Sequence, residues 1–140
     1  MLLEDEQRTH AILLEHGYQL VYKTDNVAQY RATDVEYGSI DILFAFREIS
    51  KAMLKRSVPV SVSQDLHLKT LIPEDIIGLK LQALTNDSSR FERDFNDMQA
   101  LVAAMRRQNL TIDWDLLGDY CQLFDRPDLL VKLTADQHAS

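Results

Sequence analysis

The spacing of apolar and polar residues changes period several times along the chain, and each change marks an element. From Glu4 to Glu15 it predicts a helix, with Leu3, Ala11, Ile12 and Leu14 on its apolar side and Gly17 as C-cap. Tyr18 to Lys23 predicts a strand, Asp25-Asn26 a turn, and Val27 to Thr33 the returning strand of a hairpin. Tyr37-Gly38 breaks the chain again. Ile40 to Phe46 is apolar on both alternating faces apart from Asp41, the pattern of a central strand covered on both sides. Glu48 to Lys55 predicts a short helix. Val58, Val60 and Val62 alternate with Pro59, Ser61 and Ser63, a half-exposed strand that Pro59 places at a sheet edge. Leu66 to Ile72 predicts one more short strand.

From Pro73 onward the period is helical. Pro73 to Leu84 begins with proline and carries Glu74 and Asp75 in its first turn, where the helix dipole favours acids. Asp87-Ser88-Ser89 caps a second helix that runs to about Arg106. Asp113 caps a third over Trp114 to Phe124, and Pro127 opens a fourth carrying Leu129, Leu130 and Leu133. Helix, mostly antiparallel strands and then a helical tail make an α+β arrangement.

Two charges fall where core residues belong. At about 100° per residue, Ile76, Ile77, Leu81, Ala83 and Leu84 form one apolar arc, and Lys80 lies inside it. In the next helix Phe91, Phe95, Met98, Leu101, Val102 and Met105 form the stripe, and Asp94 lies inside that, with Asp97 and Arg90 at its edge. A lone charge on a core face is costly. Opposite charges on consecutive helices predict that the two faces meet and that Lys80 pairs with Asp94. A structural ion pair and a phosphate-binding pocket built on Lys80 both satisfy this pattern. Asp41, near the start of its apolar strand, is either a solvent-facing acid or a metal-binding or basic carboxylate.

Composition narrows the function classes. With 140 residues, 4 Gly and 3 Pro, the chain is expected to form one domain with a helical tail over 107–140. The formal charge of -7 argues against broad nucleic-acid binding, which needs a basic footprint. No apolar run reaches the roughly 20 residues of a membrane span, and the acidic start is not a signal peptide. Cys121, the single cysteine, allows no internal disulfide and fits a reducing cytoplasm; packed beside Tyr120 and Leu123, it is expected in the core. His10, His16, His67 and His138 have no partner at metal-ligand spacing, and His10 and His16 fall on a surface-like helix. Ser88-Ser89 is expected to cap a helix, and the pairs Lys55-Arg56 and Arg106-Arg107 to be solvated.

The run Ile72 to Leu84, followed by Arg93-Asp94-Phe95-Asn96-Asp97-Met98, resembles the paired helical motifs of the nucleotidyltransferase superfamily. More narrowly it resembles the minimal, abortive-infection toxin type and its uncharacterised bacterial branch, over roughly residues 18 to 125. The resemblance implies a mixed sheet flanked by helices and transfer of a nucleoside monophosphate from an NTP to a hydroxyl, with Mg²⁺ bridging the phosphates. It implies that Lys80 and Arg93 contact the nucleotide, that Asp94 and Asp97 hold Lys80 in place, and that Asp41 is the third metal-site acid. The family's Gly-Ser turn with a following helix, and its strand carrying Asp-x-Asp, have no counterpart here. Gly38-Ser39 runs straight into the strand of Asp41, and Glu4-Asp5-Glu6 begins a helix. The domain is therefore expected to be N-terminally incomplete, with Met1-Leu2-Leu3 as the tail of the acid strand, and inactive as this chain. The alternative is a non-catalytic interaction or nucleotide-sensing module of the same fold, forming a homodimer through an open sheet edge.

Overall fold

The computed structural model describes residues 1–45 and 47–135. Among them, six α-helices accompany two antiparallel sheets, an α+β fold with a helical C-terminal part. The chain divides into two compact units, Met1–Arg56 and Ser57–Ser140. His138 and the Phe46 end of the expected strand lie outside the described residues.

In the first unit, α1 (Glu6–Glu15) leads into a sheet of order β1-β2-β3, with β1 at Tyr18–Lys23, β2 at Val27–Ala32 and β3 at Ser39–Leu43. Gly17 makes the turn from α1 at φ 81°, a left-handed conformation that favours glycine. Its carbonyl then accepts the N–H and hydroxyl of Thr33 at 2.8 and 2.9 Å, tying the helix end to the end of β2. The hairpin turn is held by Thr24, whose hydroxyl accepts the N–H groups of Asn26 and Val27.

The sheet register fixes the two faces. Ala28 pairs with Ile42 and Tyr30 with Ile40, placing these residues on the face packed by Leu13 of α1. Gln29 pairs with Asp41 and Arg31 with Ser39 on the opposite face, where Arg31, Ser39 and Asp41 are exposed. β2 is thus the central strand and β3 flanks it, contrary to the expectation for Ile40 to Phe46. On β3's other side Leu2 makes a parallel bridge with Ala45, backed by the Met1 amino group donating to the Leu43 carbonyl at 2.9 Å. The apolar run misled because Phe44 and Ala45 are buried after the strand has ended, while Leu43 within it stays exposed. That bridge is the one parallel pairing among the described residues, in place of the wider mixed sheet of the resemblance.

The apolar side expected for α1 also faces outward: Leu3, Ile12 and Leu14 are exposed. The covered face instead runs through Glu6, His10 and Leu13, about one turn apart. Its polar groups are matched, Glu6 by Lys23 and His10 Nδ1 by the Tyr30 hydroxyl at 2.9 Å. A count of apolar residues misses such a face.

The helix α2 (Glu48–Arg56) ends the first unit. The second opens with a hairpin of β4 (Val58–Ser61) and β5 (His67–Thr70), followed by α3 (Pro73–Asn86), α4 (Phe91–Arg107), α5 (Trp114–Leu123) and α6 (Pro127–Ala135). Helix α3 packs on α4 and α5, and α6 on α5 and α4. Ile77, Leu81, Leu84, Met98, Val102, Leu117, Leu129 and Leu133 are essentially inaccessible to solvent. Each such side chain contributes about 1.5–3 kcal/mol of burial, so these helices carry most of the chain's apolar stabilisation. Cys121 is buried among them, as expected, and burial pushes its thiol pKa up.

Glu74 and Asp75 do more than complement a dipole. Both are buried: Asp75 Oδ1 accepts the Tyr120 hydroxyl at 2.6 Å, and Glu74 Oε1 accepts the Asp113 N–H at 3.0 Å. They fasten the start of α3 to α5, whose cap is Asp113 itself, accepting from Leu116 N–H at 2.9 Å. At the same contact Gly78 lets the Tyr120 ring lie against the α3 backbone. A Cβ there would fall 2.8 Å from Tyr120 Cε2.

Candidate functional site

The pattern of charges on α3 and α4 resolves into one cluster in the second unit. Asp87 Oδ1 accepts the N–H and hydroxyl of Ser89 at 3.0 and 2.6 Å and so caps the 3-10 turn Ser88–Arg90, whereas α4, starting at Phe91, has no side-chain cap of its own, contrary to the expectation for Asp87-Ser88-Ser89. Helix α4 packs against α3. Asp94 is 1% exposed. Its Oδ2 accepts Arg90 Nε at 2.9 Å, and its Oδ1 lies 3.6 Å from Lys80 Nζ and 3.9 Å from Arg93 Nε. The Arg90 hydrogen bond, followed by the charges of Arg90, Lys80 and Arg93, holds the Asp94 carboxyl below its usual range against the opposing effect of burial.

The expected Lys80–Asp94 contact is present, but it is the longer of two. Lys80 Nζ donates to Asp97 Oδ2 at 2.7 Å, and Arg90 is the direct partner of Asp94. Arg90 and Asp94 are i, i+4 neighbours on one helix, a spacing that favours pairing and was available in the sequence. The rim is open: the side chains of Lys80, Arg90, Asp97 and Arg93 are 25%, 41%, 52% and 66% exposed. Lys80, Arg90 and Arg93 meet the carboxylates of Asp94 and Asp97, and Asp87 acts on Arg90 and Arg93 from the preceding turn.

Chemically, this arrangement can receive an anion. An incoming phosphate oxygen would replace Asp97 as the acceptor for Lys80, and Arg93, which makes no hydrogen bond through its side chain among the described residues, has donors to spare. Asp94 would keep Arg90 throughout.

Asp41 lies in the first unit, on the exposed sheet face with the neutral amide of Gln29 as its cross-strand neighbour. Among the described residues no group of three or more His, Cys, Asp or Glu side chains is placed to hold a metal ion. His10 is half-buried against Tyr30 rather than free on the surface, and His16 Nδ1 lies 2.8 Å from the Ile12 carbonyl.

No protein-family model and no curated protein matches this sequence. No described helix is long and apolar enough to cross a membrane.

Proposed function

We propose that this chain is a nucleotidyltransferase-like protein that binds the phosphates of a nucleoside triphosphate through Lys80 and Arg93. One observation carries the proposal. The enclosed Asp94 already has Arg90 at 2.9 Å, so the charge of Lys80 is not required to keep that carboxylate paired. Lys80 nevertheless sits within the apolar arc of α3 and reaches an open rim, held there by Asp97 at 2.7 Å. That is how a cation is kept ready for an exchangeable anion. Asp94 and Asp97 position Lys80, and Arg93 supplies a second set of donors.

The resemblance implies nucleoside monophosphate transfer to a hydroxyl with Mg²⁺, and assigns Asp41 to the metal. Because the family's strand carrying Asp-x-Asp has no counterpart here, the chain on its own is expected to bind a nucleotide without transferring it. The second reading, a nucleotide-sensing or interaction module of the same fold, is favoured by Asp41 lying on an exposed sheet face with the neutral amide of Gln29 as its cross-strand neighbour.

Calorimetric titration with Mg²⁺·ATP and Mg²⁺·GTP tests the proposal. Saturable binding is expected, weakened at least about tenfold in Lys80→Ala, since a charge-assisted hydrogen bond contributes about 1.5–3 kcal/mol. No heat of binding at millimolar nucleotide would leave the cluster as a structural ion network. Incubation with α-labelled NTPs separates the two readings, because label appearing on an acceptor hydroxyl would establish transfer and sink the sensing reading.

A further inference from the structure

A groove of about 710 Å³ lies between α5 and α6, within the roughly 300–1,000 Å³ typical of binding pockets. Its walls include Trp114, Asp115, Gly118, Asp119, Asp125 and Leu130, and no lysine or arginine lines it. We propose that it docks a basic segment of a partner protein, seating a lysine or arginine side chain beside Trp114 and between the three aspartates.

Charge complementarity selects the occupant. Residues 113–128 hold five aspartates against one arginine, so more than half of the chain's net charge of -7 is concentrated there. Asp115 and Asp119 are one turn apart on α5, where like charges repel. Among the described residues, the side chains of Asp115, Asp119 and Asp125 make no hydrogen bond or ion pair. Five other acids of this unit are matched: Asp75 by Tyr120, Glu74 by the Asp113 N–H, Asp94 by Arg90, Asp97 by Lys80 and Asp128 by Arg126. Asp115, Asp119 and Asp125 thus bring three unpartnered carboxylates to one groove.

The groove's shape fits the rest of such a side chain. Trp114 lines the groove with an aromatic ring, a surface that attracts cations, and Arg106 Cζ lies 5.8 Å from its centroid. Trp114 and Leu130 offer apolar wall to the methylene stem of a lysine or arginine. Gly118 keeps the floor low, and the fold does not demand a glycine there. A Cβ would meet Leu130 Cδ2 at 3.6 Å, an ordinary contact, and alanine in mid-helix would be favoured by about 1 kcal/mol.

The test uses the full chain, ¹⁵N-labelled, titrated with a capped arginine–leucine repeat peptide and with its glutamate–leucine counterpart. Saturable shifts of the Trp114 indole N–H and the Gly118 amide are expected with the basic peptide alone. Asp115→Asn/Asp119→Asn should weaken binding about tenfold or more while the helical circular dichroism stays the same. Gly118→Leu should block binding by filling the floor with no change of charge, and Gly118→Ala should retain it. Shifts spread over every acidic surface without saturation would overturn the proposal. So would unchanged affinity in both blocking variants, or displacement of the peptide by equimolar spermidine, which would mark a polyamine site.

Discussion

Asp94 is a carboxylate enclosed in a helix seam, and its three neighbouring cations are not equivalent. Arg90 bonds it directly, Lys80 lies at 3.6 Å and belongs more to Asp97, and Arg93 is peripheral. Truncating the two sides of the network should therefore have unequal effects. Lys80→Met removes a part-exposed pair, which is worth about 0–1 kcal/mol, so denaturant unfolding should show little loss of stability while nucleotide binding disappears. Asp94→Asn weakens a charge-assisted bond inside the seam and should cost about 1.5–3 kcal/mol. Its pH dependence has a definite sign. An unfolded aspartate titrates near about 3.9, and in the fold Asp94 titrates lower, chiefly because of Arg90. The stabilisation is then complete above about pH 4 and fades as the pH falls through the folded value. The stability gap between wild type and Asp94→Asn should narrow in acid, and a gap constant down to pH 2 would contradict the Arg90 assignment. At this scale the sequence disclosed that Lys80 and Asp94 meet across the α3–α4 contact, Asp94 buried and Lys80 half-buried. It did not disclose which cation takes the carboxylate, because that depends on side-chain reach across the α3–α4 contact.

Two glycines of the helical unit make opposite predictions for the same substitution. Gly78→Ala would drive a methyl group to 2.8 Å from Tyr120 Cε2, and overpacking of this kind typically costs about 1–3 kcal/mol. Gly118→Ala meets only Leu130 at 3.6 Å and should stabilise α5 by about 0.5–1 kcal/mol. Thermal melts of the two variants should move in opposite directions; movement in the same direction would show that the α3–α5 contact is loose enough to accept a methyl group. Element positions were largely legible because caps and breakers sit at the ends: Gly17, Asp87, Asp113 and Pro127 each fall where an element starts or stops. Facing was less legible. The inner face of α1 carries Glu6 and His10, whose partners Lys23 and Tyr30 are distant in sequence. The burial of β2 rests on small alanines flanking Tyr30, which an apolar-run criterion undervalues beside Ile40 to Phe46.

The two units differ in how much core each possesses. The first gathers Ala28, Tyr30 and Phe44 with a few half-buried neighbours and exposes Leu3, Ile12, Leu14, Val21, Tyr22 and Leu43. The second holds the inaccessible residues of four helices. Domains of about 60 residues are marginal at best, so a fragment of residues 57–140 should unfold cooperatively by circular dichroism while a fragment of 1–56 should not. Cooperative melting of the smaller fragment would contradict this division of stability. The candidate cluster lies wholly within the better-packed unit, so nucleotide binding through Lys80 should survive in the 57–140 fragment. The measurement that bears most directly on nucleotide binding at Lys80 is a ¹⁵N NMR titration of the intact chain with Mg²⁺·ATP. Saturable shifts are expected at Gly78–Leu81 of α3 and Arg93–Met98 of α4, and they should be absent in Lys80→Ala. Saturable shifts located elsewhere, or unchanged in that variant, would contradict a phosphate site built on Lys80.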